Sequence, residues 1–144
     1  MTIAIHQLVA GFTGRDAIST EARQLRALFR GWGHASEIYS DPAHLPHELR
    51  NDAQSMHQLA PGENDILLLH LSVGSLVNEQ FPGWPGRKVI LYHNVPPAEF
   101  FGGVNPDLAR DLAAGRDQAR ALVGVADRVL ADSRFNAQEL EAMG

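Results

Sequence analysis

The chain contains no cysteine. That removes disulfides, thiolate nucleophiles and Cys-ligated zinc, and it fits a reducing, cytoplasmic setting. Lysine is almost missing as well. Of the 12 Lys and Arg residues only Lys88 is a lysine, and the arginines are spread along the chain. With 17 acidic residues the net charge is −5, so a clustered cationic surface for nucleic acid is not expected. Long apolar runs are also lacking. Stretches such as Ile66 to Leu69 are far shorter than the ~20 residues of a membrane span. No basic segment leads into an apolar stretch at the start, so no signal peptide is expected. No serine lies in a Gly-x-Ser-x-Gly elbow, so no Ser-His-Asp triad is assigned. His44 and His47 flank Leu45-Pro46, but His57 and His70 add no ligand at a recognisable spacing, and no metal site is expected.

The 144 residues, 44% hydrophobic and 20% charged, suit one globular domain with a core. Strand-like runs recur at Ile3–Val9, Ser36–Ser40, Asp65–Leu71, Lys88–Tyr92 and Asp127–Ala131. Between them, Asp16 is placed to cap a helix reaching about Trp32, with Ile18, Ala22, Leu25, Phe29 and Trp32 as its buried stripe. Gly31 and Gly33 can end it. Asn51–Ala60 reads as a helix stopped by Pro61-Gly62, and Gly74–Phe81 as a short one. Asn105-Pro106 opens another, and Asp132 or Ser133 caps the last. The alternation predicts an α/β fold: a Rossmann-like parallel sheet of about five or more strands, with helices on both faces.

Several special residues fall just after strands: Gly11, Gly14, Ser72, Gly74, Ser75, His93, Asn94, Asp132 and Ser133. In a parallel sheet ligands bind beyond the carboxyl ends of the strands. The loop from Gly11 through Thr13 to Gly14 joins a strand to a helix, as a ligand-contacting loop or an ordinary turn. It is neither Gly-x-Gly-x-x-Gly nor a P-loop. Ser72-Val73-Gly74-Ser75 offers backbone donors and hydroxyls, or simply a helix cap. His93-Asn94 can hydrogen-bond a hydroxyl-rich substrate or close a loop. Asp132-Ser133 reads as a cap, or as a helix N-terminus facing an anion. His6 reads as a packed, hydrogen-bonded strand residue. Phe100 and Phe101 either pack on the domain or form part of an acceptor or lid surface.

Asp16-Ala17-Ile18-Ser19, Leu25-Arg26, Trp32-Gly33-His34 and Ser36-Glu37-Ile38-Tyr39 resemble the opening of GT4-type (group 1) glycosyltransferases. His6-Gln7, Tyr92-His93-Asn94-Val95-Pro96-Pro97, Phe100-Phe101 and Ala131-Asp132-Ser133-x-Phe135-Asn136 continue the resemblance in order. In that family Gly often directly precedes the Asp-Ala-Ile segment, whereas Arg15 stands there here.

The resemblance implies that residues 1–144 are the N-terminal, acceptor-side half of a GT-B enzyme, with the donor-binding C-terminal domain absent from this chain. It implies transfer of a sugar, with retention, from a nucleotide-sugar co-substrate to an acceptor hydroxyl, without metal or other cofactor. By position, His93 is the implied catalytic residue. Gly11, Thr13, Gly14, Ser72, Gly74, Ser75, Asn94 and Ser133 are the implied substrate contacts, with Gly11 to Gly14 near the donor diphosphate. The implied partners are the chain's own donor domain and a polysaccharide or lipid-linked acceptor, at the inner membrane face for some members. A homodimer through the exposed interdomain face is a further expectation, as is inactivity of this half alone. The alternative is a stand-alone nucleotide- or carbohydrate-binding module.

Overall fold

A computed structural model describes residues 3–93, 103, 105–131 and 133–143. Six parallel strands form one sheet: β1 (Ile5–Val9), β2 (Ile38–Ser40), β3 (Gln54–Ser55), β4 (Ile66–Leu71), β5 (Arg87–Tyr92) and β6 (Arg128–Ala131). Their spatial order is β3-β2-β1-β4-β5-β6. The helices are α1 (Ala17–Gly31), α2 (Leu76–Gln80), α3 (Pro106–Val123) and α4 (Arg134–Met143). The architecture is α/β and Rossmann-like, with the chain running outward from β1 in one direction and from β4 in the other.

The strand β4 shows why the sheet forms. It pairs with β1 along one edge and β5 along the other, and five of its six residues are buried. Such a strand reads as a continuous apolar run. Leu67, Leu69 and Leu71 join Leu8, Ile90 and Tyr92 under Leu112, Ala119 and Leu122 of α3. On the opposite face Val9 and Ile38 pack with Phe12 and Ala22, the last of these from α1. Burying about 25 cal/mol for each Å² of apolar surface on both faces is what holds the layers together.

Two expectations are corrected. Asn51–Ala60 is not a helix: Gln54 and Ser55 form β3 beside Tyr39 and Ser40, and a 3-10 turn follows at Met56–Gln58. The segment is held extended because Asp52 is drawn across to α1. Its carboxylate takes Arg23 Nε at 2.6 Å and also Arg26, and its backbone carbonyl accepts from Arg26. Trp32 is not core but 64% exposed. It is the C-cap, one residue past the end of α1, with its ring against Phe29 rather than in the core.

The turn before β5 depends on one glycine. Gly86 has φ +114, and a Cβ there would lie 2.9 Å from the Asp65 carbonyl oxygen. That oxygen accepts from Arg87 N at 2.8 Å and keeps β5 in register. Gly86→Ala should therefore lower unfolding free energy by ~1–3 kcal/mol in chemical denaturation. Gly31→Ala, with nothing within 4 Å, should leave it unchanged or slightly raised.

Candidate functional site

The loops leaving β1, β2 and β4 meet around a cavity of about 610 Å³ at the carboxyl edge of the sheet. It lies where β1 and β4 are neighbours and the winding reverses, the usual ligand position in such folds. Gly11, Thr13, Gly74 and Ser75 line it, joined by Asp16 and by the 43–46 segment, which sequence reasoning left out. Gly11 is glycine for a spatial reason. A Cβ there would stand 3.0 Å from His44 Cβ, and Phe12 N donates to His44 O at 3.1 Å.

Gly14 stands behind this wall. It has φ +82, its N–H donates to Ser19 Oγ at 3.3 Å, and its carbonyl accepts from Arg23 Nη1 at 2.7 Å. The Arg23 guanidinium also lies 5.0 Å from the centre of the Phe12 ring. Thus Arg23 ties the glycine loop, α1 and Asp52 together. Burial alone would raise the Asp52 carboxyl, but hydrogen bonds from Arg26 and Arg23 outweigh it and hold the group below its ordinary value.

The N-terminus of α1 carries its own anion. Asp16 accepts from Ser19 N at 3.1 Å, and its other carboxylate oxygen accepts the Thr13 and Ser19 hydroxyls. Burial raises its carboxyl, but these bonds prevail and the group is held low. A phosphate placed on this helix end would meet a carboxylate.

His93 follows β5 with its side chain only 7% exposed. It does not line the cavity but belongs to a buried polar chain. His70 Nδ1 lies 2.9 Å from His93 Nε2, and His70 Nε2 lies 2.7 Å from Gln7 Oε1. Gln7 Nε2 donates to the Ala22 carbonyl at 2.8 Å. At the other end, His93 Nδ1 is 3.8 Å from Glu21 Oε2. The two rings are nearly parallel, at 12°. Parallel register makes the chain: Gln7 stands opposite Leu68, and His70 is two residues further along the same face.

The remaining expected residues fall elsewhere. Ser72 is half-buried and does not line the cavity. Ser75 lines it and also caps α2, accepting from Asn78 N at 3.2 Å. Ser133 is exposed and caps α4, accepting from Asn136 N at 3.1 Å. His6 is hydrogen-bonded, as expected, accepting from Glu37 N at 3.2 Å. Asn94, Phe100, Phe101 and Asp132 lie outside the described residues. Sequence spacing gave no ligand role to His70. In space, Glu21, His70 and His93 are the one group of three or more metal-ligating side chains close together among the described residues.

No protein-family model matches the chain, and no curated protein matches it.

Burial pushes the His70 imidazole down to about 3, and a charge on neighbouring His93 pushes the same way. The unfolded chain therefore binds a proton at His70 near pH 6.5 that the folded chain refuses until about pH 3. Stability from this group is full above 6.5 and is lost as pH falls from there toward 3. His6, lowered mainly by burial, adds in the same direction. Denaturation at pH 7.5, 6.5, 5.5 and 4.5 should show falling stability, at up to ~1.4 kcal/mol per pH unit for each such proton. His70→Asn should flatten the slope by the share due to one proton.

Proposed function

We propose that this chain is the acceptor-side half of a retaining glycosyltransferase. The complete enzyme would move a sugar from a nucleotide-sugar donor to an acceptor hydroxyl, with a donor-binding half outside these residues. The observation that carries the reading is the joining of the loops after β1, β2 and β4 around one cavity at the reversal point of a parallel sheet. The residues of the family resemblance support it: the Asp16-Ala17-Ile18-Ser19 segment begins α1, and His93 leaves β5.

In this reading the electrostatics suit one part of the reaction better than the other. Glycosyl transfer builds positive charge on the sugar ring and negative charge on the leaving diphosphate. Asp16 makes the α1 end a poor diphosphate site and a good partner for hydroxyls. The diphosphate would then be stabilised from the facing half by preorganised donors. The cavity here would orient the acceptor hydroxyl, and closure of the two halves would exclude water. By the family resemblance His93 would hydrogen-bond the transferred sugar; its ring is held against His70, outside the lining of this cavity. No metal is needed at the reacting phosphate in this scheme.

A panel of nucleotide sugars, offered to the full polypeptide of the reading frame with polysaccharide or lipid-linked acceptors, tests this through released nucleoside diphosphate. We expect one donor to be consumed without divalent metal. His93→Ala should reduce turnover ~10²-fold or more while moving the melting temperature far less. Equal turnover in mutant and parent, or no donor consumed at all, would overturn the assignment.

A further inference from the structure

We infer that Gln7 and His70 are positioning residues that fix the tautomer of His93, placing its proton on Nε2 and a lone pair on Nδ1 beside Glu21. The ordering of protons stands on the hydrogen-bond geometry together with the burial of His70. Its use by a bound sugar hydroxyl rests on the sugar-transfer reading above.

The order begins at a backbone carbonyl. The Ala22 oxygen can only accept, so the amide nitrogen of Gln7 must face it, 2.8 Å away. Gln7 Oε1 then faces His70 Nε2 at 2.7 Å, and that oxygen too can only accept. His70 must therefore carry hydrogen on Nε2. Burial keeps this ring neutral, so its Nδ1 has a lone pair. His93 Nε2, 2.9 Å from that lone pair, must donate. A neutral His93 then has its only ring proton on Nε2, and Nδ1 is an acceptor. Each link leaves one choice, and the choices run in a single direction from α1 to the end of β5.

A bridging cation fits this spacing poorly. Two imidazole nitrogens on a tetrahedral zinc, each about 2.0–2.1 Å away, lie roughly 3.3 Å apart. His70 Nδ1 and His93 Nε2 are 2.9 Å apart, the distance of an N–H···N bond.

While His93 is neutral its Nδ1, 3.8 Å from the Glu21 carboxylate, can only accept. Gln7 and His70 thereby set which kind of hydrogen-bonding partner His93 can take.

The test is long-range proton–nitrogen NMR on the full chain with 15N-histidine at pH 7.5, without substrate. Both His70 and His93 should show a protonated Nε2 and a bare Nδ1. Gln7→Leu removes the accepting oxygen, and the His93 pattern should then average or invert. His70→Asn, whose side-chain oxygen can occupy the Nδ1 position, should preserve the His93 pattern, whereas His70→Leu should lose it. If Gln7→Leu does not fold, the Asn–Leu pair at position 70 decides. A proton on His93 Nδ1 in the parent, or a His93 pattern indifferent to both positions, would overturn the inference. So would equimolar zinc shifting His70 Nδ1 and His93 Nε2 together, since that would make the pair a cation site. Donor turnover is read separately: its absence with the NMR pattern intact counts against sugar transfer and leaves the tautomer lock standing.

Discussion

A polar side chain near the carboxyl end of a central hydrophobic strand is the constraint on which the rest of that edge depends. His70 sits in β4 among leucines and is 1% exposed. Leaving a polar group there without partners costs several kcal/mol. The fold meets that demand by bringing Gln7 to it from the middle of β1 and His93 from just past the end of β5. Those partners then fix the relative height of β1, β4 and β5 at the rim where the loops depart. The polar chain is thus a device of register as much as of chemistry.

A second tie shapes the cavity. Arg23 reaches the Gly14 carbonyl, the Phe12 ring and Asp52. Isolated surface ion pairs contribute little to stability. This one is shared with Arg26, is only partly exposed, and includes bonds to backbone. Its effect is geometric: it holds the loop after β1 against the segment before β3, behind the cavity wall that Gly11 and Thr13 form. Asp16 then sets the sign of the remaining polar lining, leaving an acceptor where a Gly-rich loop at a helix start suggests a bare cationic end.

Much of the scaffold could be read from local patterns. The unbroken Ile66–Leu69 run identified a strand covered on both faces, Asp16 was placed as the cap of α1, and Asn105-Pro106 marked the start of α3. These signals lie within one or two turns of chain. The rim position of Gly11, Thr13, Gly74 and Ser75 followed from the sheet's topology. What escaped were relations between distant residues. Gln7 and His70 are 63 positions apart and meet through parallel register, which no spacing rule records. The available signal was compositional: an imidazole inside an otherwise apolar strand requires buried partners. Trp32 misled because periodicity carries no information about where a helix stops touching the sheet. Asn51–Ala60 misled because Asp52 is claimed by arginines from another element.

One turn of α1 carries three duties at once. Glu21 faces His93, the carbonyl of Ala22 anchors Gln7, and Arg23 grips the glycine loop. A single-residue insertion ahead of this turn would rotate all three by ~100° together. It would undo the imidazole pair and the cavity wall in one step. An insertion beyond Arg26, where Leu28 already faces solvent, would leave all three contacts in place.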